Sequence, residues 1–269
     1  MLLSMKNKID MKNTIKTLLI TAILMLANTI VSSQTAREIS EKASHAMEIK
    51  SMEMASTIKI IDQKGRVRVR KTVNATKEFE GVTKSLVRFT APADVKGTAM
   101  LIFDYKDQGD DMWIYLPALR KTRRIVSSEK GKSFMGSEFS NADLTKPNLD
   151  DFEYKILSSE ARDGKKYWLI ESRCKDEEIE DENGYSKRIS WIEKETFLVH
   201  KMEFYDLDEE LHKIQYIKDF RIQSTGKYFA FYMEKKNVQN GRKSIMIIDQ
   251  FQAGSTMTES SFTATMLSK

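Results

Sequence analysis

Cysteine, histidine and proline are nearly absent from these 269 residues, and each scarcity removes a class of function. The single cysteine, Cys174, cannot form an internal disulfide. It lies in an alternating segment, Trp168 to Cys174, where a small half-buried strand residue is the expected role. The three histidines, His45, His200 and His212, have no partner at metal-ligand spacing, and no Cys or His cluster exists to hold zinc. No glycine-rich phosphate loop occurs, and Gly136-Ser137 lacks the strand-turn-helix frame of a nucleophile elbow. Asp110-Asp111 invites a paired-carboxylate reading, but adjacent strand residues point to opposite faces. A turn with one carboxylate directed back to an arginine is expected instead. The sequence therefore predicts no catalytic residue, no metal and no cofactor. A hydrolase using Asp110, Asp111 or His200 is the enzymatic alternative.

Charge of one sign is also scarce once the N-terminus is set aside. Lys6, Lys8, Lys12 and Lys16 precede an uncharged apolar stretch from Leu18 to Val31 that ends in Ser32 and Ser33. A basic lead, a short apolar run and small residues at the cut are the parts of a cleavable secretory signal. Residues 1–33 are read as that signal, with cleavage before Gln34 and Met11 as an alternative start. An uncleaved anchor is the competing reading, but the run falls short of the roughly 20 residues that span a bilayer. The full chain carries 44 Lys+Arg against 39 Asp+Glu. Removing four Lys and one Asp leaves 40 against 38, so net charge gives nucleic-acid binding no support. Residues 34–269 are read as one domain, exported to the periplasm.

What is present is mostly β pattern. Thr35 to Met54 reads as one helix, with Ala36, Ile39, Ala43, Ala46 and Met47 at spacings of three and four. From Ser56 onward the period is two, in about a dozen short segments bounded by turn residues, as in an antiparallel sandwich or barrel. Asp163-Gly164, Asn183-Gly184 and Asn240-Gly241 read as hairpin turns, because Gly accepts positive φ and Asn or Asp tolerates it. All three prolines (Pro92, Pro117, Pro147) fall at segment ends, where no central strand loses a donor. Ser127 to Asp151 is the one long irregular stretch, and its Phe134, Met135, Phe139 and Leu144 predict a lid that packs on something.

Two strands are apolar on both faces. In Thr98–Tyr105, Met100 and Ile102 oppose Leu101, Phe103 and Tyr105; in Met112–Leu116, Trp113 and Tyr115 oppose Met112, Ile114 and Leu116. Strands with this pattern are covered on both sides. An ordinary core explains that, and so does a curved sheet with an apolar pocket. The candidate pocket and lid residues are Leu101, Phe103, Tyr105, Trp113, Tyr115, Phe134, Met135 and Phe139. Arg120, Arg123 and Arg124, with Lys121, form a basic cluster that reads as a charged edge strand, as a cationic rim, or equally as the partners of Asp110 and Asp111.

Lys96-Gly97-Thr98, Asp110 through Arg120, Arg123-Arg124-Ile125 and Ser133 through Phe139 together resemble the LolA-like outer-membrane lipoprotein-sorting family of Gram-negative bacteria, in its larger branch. Ser137-Glu138 stands where that pattern has Ser-Asp. The resemblance implies a mainly β (α+β) fold: a strongly curved antiparallel sheet, or half-barrel, with an N-terminal helix and a lid over its concave apolar face. It implies a monomeric carrier of a lipid or lipoprotein acyl chain, with an inner-membrane transporter as donor and an outer-membrane acceptor. A periplasmic lipid-sensing regulatory module of the same fold is the alternative.

Overall fold

Short connections between alternating segments favour antiparallel neighbours, and the chain follows that rule almost throughout. In the computed structural model, which describes residues 34–106 and 108–269, thirteen strands form one sheet. They are β1 (Ser51–Ile61), β2 (Val67–Phe79), β3 (Val82–Ala91), β4 (Ala99–Asp104), β5 (Asp111–Leu116), β6 (Lys121–Ile125), β7 (Phe152–Arg162), β8 (Lys165–Cys174), β9 (Lys187–Glu193), β10 (Val199–Tyr205), β11 (Leu211–Ile222), β12 (Tyr228–Asn237) and β13 (Lys243–Ala253). Their order is β6-β5-β4-β3-β2-β1-β13-β12-β11-β10-β9-β8-β7. Two meanders thus meet where β1 pairs with β13. The edges, β6 and β7, are adjacent in sequence yet lie at opposite ends, so the sheet is not closed. The residues expected to form the signal, 1–33, lie outside the described residues.

Curvature follows from interrupted ladders. Register shifts occur at Ala55/Ser56, Lys71/Thr72, Ile156/Ser158 and Phe204/Tyr205, and Asp219 in β11 has φ of 53°. Each such irregularity bends its strand and raises local twist. The concave face gathers Ile58, Ile60, Val87, Phe89, Met100, Ile102, Met112 and Ile114 into one buried cluster. Helix α1 (Ala36–Ala46) covers the β7–β9 end of the same face, with Ile39 fully buried against Ile170 and Ile192. On the convex face Ala99, Leu101, Phe103, Trp113 and Tyr115 pack beneath Phe262 and Leu267 of the C-terminal segment. Both faces of β4 are therefore covered, as its doubly apolar pattern requires.

Two local expectations are corrected. The helix ends at Ala46, and Ser51–Met54 opens β1, paired with β2 from Ser51↔Lys77 onward. Met52 and Met54 alternate with Glu53, and so few residues satisfy a period of two as well as the end of a helical stripe. The ladder on both sides of β1 decides between them. Asn183-Gly184 is not a hairpin turn. It ends a short helix, α2 (Glu177–Asn183), whose N-cap Asp176 accepts from the Ile179 N–H at 3.0 Å and whose Gly184 takes φ of 75°. That is the usual aspartate-first, glycine-last grammar of a helix. By contrast Asp163-Gly164 joins β7 to β8 as a two-residue turn with φ of 52° and 77°, and Asn240-Gly241 lies in the β12–β13 connection.

Candidate functional site

Between β6 and β7 the chain crosses the concave face. This lid, residues 126–151, is irregular but not loose. Phe134 N–H donates to Phe139 O at 2.8 Å, and Ser137 Oγ donates to Phe134 O at 2.7 Å. Met135 and Gly136 make the tight turn between them, with φ of 51° and 78°. The result presents Phe134 and Phe139, both buried, to the sheet cluster, with the Phe134 ring 5.7 Å from that of Phe89. Lid and sheet are then joined by polar contacts. Glu138 N–H donates to Ser244 Oγ at 2.9 Å, its carboxylate lies 3.1 Å from Arg242, and Lys213 donates to its carbonyl at 3.1 Å. Lys130 bridges Asp110, at 2.9 Å, and Glu182 of α2. Beside it Gly131 meets Gly184 so closely that a Cβ on Gly131 would lie 2.7 Å from the Gly184 nitrogen. Glycine is required there by contact with backbone.

Lid, sheet and the segment after α1 enclose a cavity of about 700 Å³, within the usual size of small-molecule sites. Its apolar wall includes Ile58, Val87, Ile102, Phe134, Phe139 and Leu144. Met47, Ile49, Met52, Met54 and Phe229 line it toward the start of β1, and Met233 and Met246 line the far side of the β1–β13 seam. Methionine supplies flexible, polarisable surface that adapts to a changing occupant. A polar strip crosses the floor. Ser56 and Thr72 hydrogen-bond at 2.7 Å, and Thr76 and Ser85 at 2.9 Å.

Charges ring the opening. Burial, aided by the neighbouring Asp110 carboxylate, pushes the Asp104 carboxyl up to about 6, although it accepts the Lys146 N–H at 3.2 Å. Burial also opposes ionisation of Glu48, but its hydrogen bonds with Lys146 and His45 outweigh that and hold it down at about 2. The Glu48–Lys146 pair ties the lid to the segment that follows α1.

The structure divides the sequence-predicted residues into three groups. Tyr105, Phe134 and Phe139 line the cavity, and Met135 packs against the lid's cluster. Leu101, Phe103, Trp113 and Tyr115 are on the other side of the sheet, under the C-terminal segment, with Phe103 and Trp113 rings 5.2 Å apart. Alternation shows which residues share a face but not which face is concave, and the larger aromatics occupy the convex side. The basic residues line no part of the cavity. Arg124 pairs with Asp111, Arg123 lies 2.6 Å from Glu129, and Arg120, at φ of 49°, makes no ion pair among the described residues. The cluster is an exposed edge strand guarded by charge.

The residues of the enzymatic alternative are not assembled. Asp110 and Asp111 are held by Lys130 and Arg124, whereas His200 is on β10, 2.8 Å from Glu193. Cys174 donates to Tyr185 O at 3.3 Å, and burial pushes its thiol up to about 12. Among the described residues no group of His, Cys, Asp and Glu could hold a metal ion.

An unclosed, curved antiparallel sheet wrapped around a lidded apolar cavity defines a half-barrel binding fold. A family model described as "Uncharacterized protein" matches residues 81–269. The chain belongs to that family, and the resemblance to LolA-like lipoprotein-sorting proteins holds in three dimensions. It is similar to a structure described as an outer membrane lipoprotein-sorting protein domain from Vibrio parahaemolyticus, with 26% identity over 87% of this chain and 98% of that one, at a TM-score of 0.80. A DUF1329 family protein from Desulfovibrio piger gives 26% identity, 86% and 97% coverage and a TM-score of 0.79. A LolA superfamily protein from Nitrosomonas europaea shares the fold at 21% identity, 87% and 100% coverage and a TM-score of 0.69. No curated protein matches the chain in sequence.

Proposed function

We propose that the protein is a periplasmic, non-catalytic carrier that encloses the acyl chain of a lipid or lipoprotein and moves it toward the outer membrane. The observation that carries this reading is the cavity itself: about 700 Å³ between a concave apolar sheet and a lid anchored by polar contacts. Each methylene moved from water into such a space contributes about 0.8 kcal/mol. Ten of them contribute roughly 8 kcal/mol, enough to offset much of the cost of ordering the chain. Its methionines suit chains that differ in length and branching. The similar domain from Vibrio parahaemolyticus, described as lipoprotein-sorting, supports the same reading. An inner-membrane donor and an outer-membrane acceptor follow from it as expected partners.

Titration with a fluorescent fatty acid tests the proposal. Wild-type protein should bind it saturably, and Met246→Trp, which fills the seam side of the cavity, should bind at least tenfold more weakly while melting as a folded protein. Absence of saturable binding to the wild type contradicts the reading. So does unchanged affinity in the filled variant.

A further inference from the structure

The cavity is not apolar throughout. Buried side-chain atoms without a hydrogen-bond partner are rare in folded proteins, and each requires a reason. Among the described residues four such atoms occur, and three belong to side chains that line this cavity: Asn74 Oδ1, Gln215 Oε1 and Arg188 Nε. Gln215 is only 6% exposed. It faces the cavity from β11, beside Met202 of β10, with which it is in register. Arg188 on β9 reaches the same wall, where its guanidinium stacks over the Phe152 ring at 5.3 Å from the centroid. No carboxylate among the described residues lies within ion-pair distance of it, although the rim beyond holds several. Tyr154, Tyr185 and Cys174 lie around it, and the carboxylates of Asp151 and Asp176 line the same cavity beyond ion-pair distance.

A buried guanidinium Nε with no acceptor in a binding cavity is costly unless an occupant completes it. Its planar donors match the oxygens of a carboxylate or phosphate. The free amide oxygen of Gln215 is an acceptor, so it calls for an O–H or N–H donor on the same occupant. The apolar cluster under the lid lies across the β1–β13 seam from β9. We propose that the cavity has a polar end built by Arg188 and Gln215. This end selects an amphiphile whose anionic, hydroxyl- or amide-bearing head binds Arg188 while its acyl chain runs under Phe134 and Phe139. The proposal rests on the carrier reading and adds the class of cargo: anionic single-headed lipids over neutral ones of equal chain length.

Three sixteen-carbon probes test it at neutral pH: palmitic acid, palmitoyl lysophosphatidic acid and monopalmitoylglycerol. Wild-type protein should favour the two anions over the neutral glyceride by roughly tenfold, as one charge-assisted contact allows. Arg188→Gln should bring that preference to near unity while still binding the neutral glyceride, which shows that the variant is folded. Gln215→Leu should weaken the two hydroxyl-bearing probes relative to palmitic acid. Whichever anion binds more tightly identifies the head as carboxylate or phosphate, and either result supports the site. Equal affinity of wild-type protein for all three probes, or an undiminished anion preference in Arg188→Gln, overturns the head site and leaves the carrier reading intact. If no probe binds the wild type, the carrier reading fails and the head site fails with it.

Discussion

Lys235 of β12 donates to both carboxylate oxygens of Asp143, at 2.9 and 2.7 Å, and so fastens the lid to the centre of the sheet. Lys235 is only 3% exposed, with its ammonium 4.1 Å from the Phe204 ring centroid. Burial pushes the Asp143 carboxyl upward, but the Lys235 charge, its hydrogen bonds and the Ser140 N–H outweigh that, and the net shift is downward.

Breaking this pair from one side leaves a buried ammonium without a partner. Asp143→Ala should therefore lower unfolding stability by roughly 3 kcal/mol, the lower part of the range for buried pairs. Combining it with Lys235→Met should recover most of the loss, because the uncompensated charge is then gone. Urea denaturation of the two proteins checks both outcomes. A double variant no more stable than Asp143→Ala would contradict this assignment.

Asp104 makes stability depend on pH in the opposite sense to a paired carboxylate. Its carboxyl is pushed up to about 6 from an ordinary value near 3.8. Between those two values the folded state holds a proton that the unfolded chain has released, so stability falls as pH rises through the window. Above it the penalty is complete, at up to roughly 3 kcal/mol for a shift of this size. Asp104→Asn should consequently melt higher than wild type at pH 8, with the gap closing toward pH 4. Melting temperatures across that range decide the matter.

Cys174 is buried under Tyr185 and Phe204 with its thiol held near 12. Only the thiolate is a nucleophile. Native protein should leave a thiol reagent such as Ellman's unreacted at pH 8, and urea-unfolded protein should consume one equivalent promptly. Prompt reaction of the native form would place this strand end in solvent.

Phe262 anchors the C-terminal segment over Leu101 and Phe79, with its ring 5.6 Å from that of Phe79. Removing it deletes a fully buried aromatic from the convex side. Phe262→Ala should cost about 3–5 kcal/mol and leave fatty-acid affinity within about twofold of wild type. A large loss of affinity in protein that remains folded would return the convex aromatics to the binding site.

These predictions also show where the sequence was informative. Strand content was legible because period two persists from Ser56 to Phe251 with turn residues between segments. The lid was legible because Phe134, Phe139 and Leu144 are too apolar for a solvated loop of that length. The face of β4 and β5 that forms the pocket was not. Met100 and Ile102 are as apolar as Leu101 and Phe103, and what separates them is a C-terminal segment, 254–269, that has no period of its own. Likewise Arg188, Asn74 and Gln215 sit at ordinary alternating positions. Only the assembled sheet, which unites β2, β9 and β11 around one space, reveals that one buried polar atom of each lacks a hydrogen-bond partner. Glu138, which fills the Ser-Glu departure, is explained by Lys213 of β11 and by Arg242 in the β12–β13 connection, both more than seventy residues away.

The carrier role requires that the space under the lid hold an acyl chain. Native mass spectrometry of protein purified gently from its own cell envelope, followed by lipid extraction, measures this directly. A carrier should show a bound species at one lipid per chain, yielding an acylated and predominantly anionic molecule, and should lose it in Met246→Trp. Wild-type protein that flies without bound lipid, and that yields no acyl chain on extraction, would contradict it.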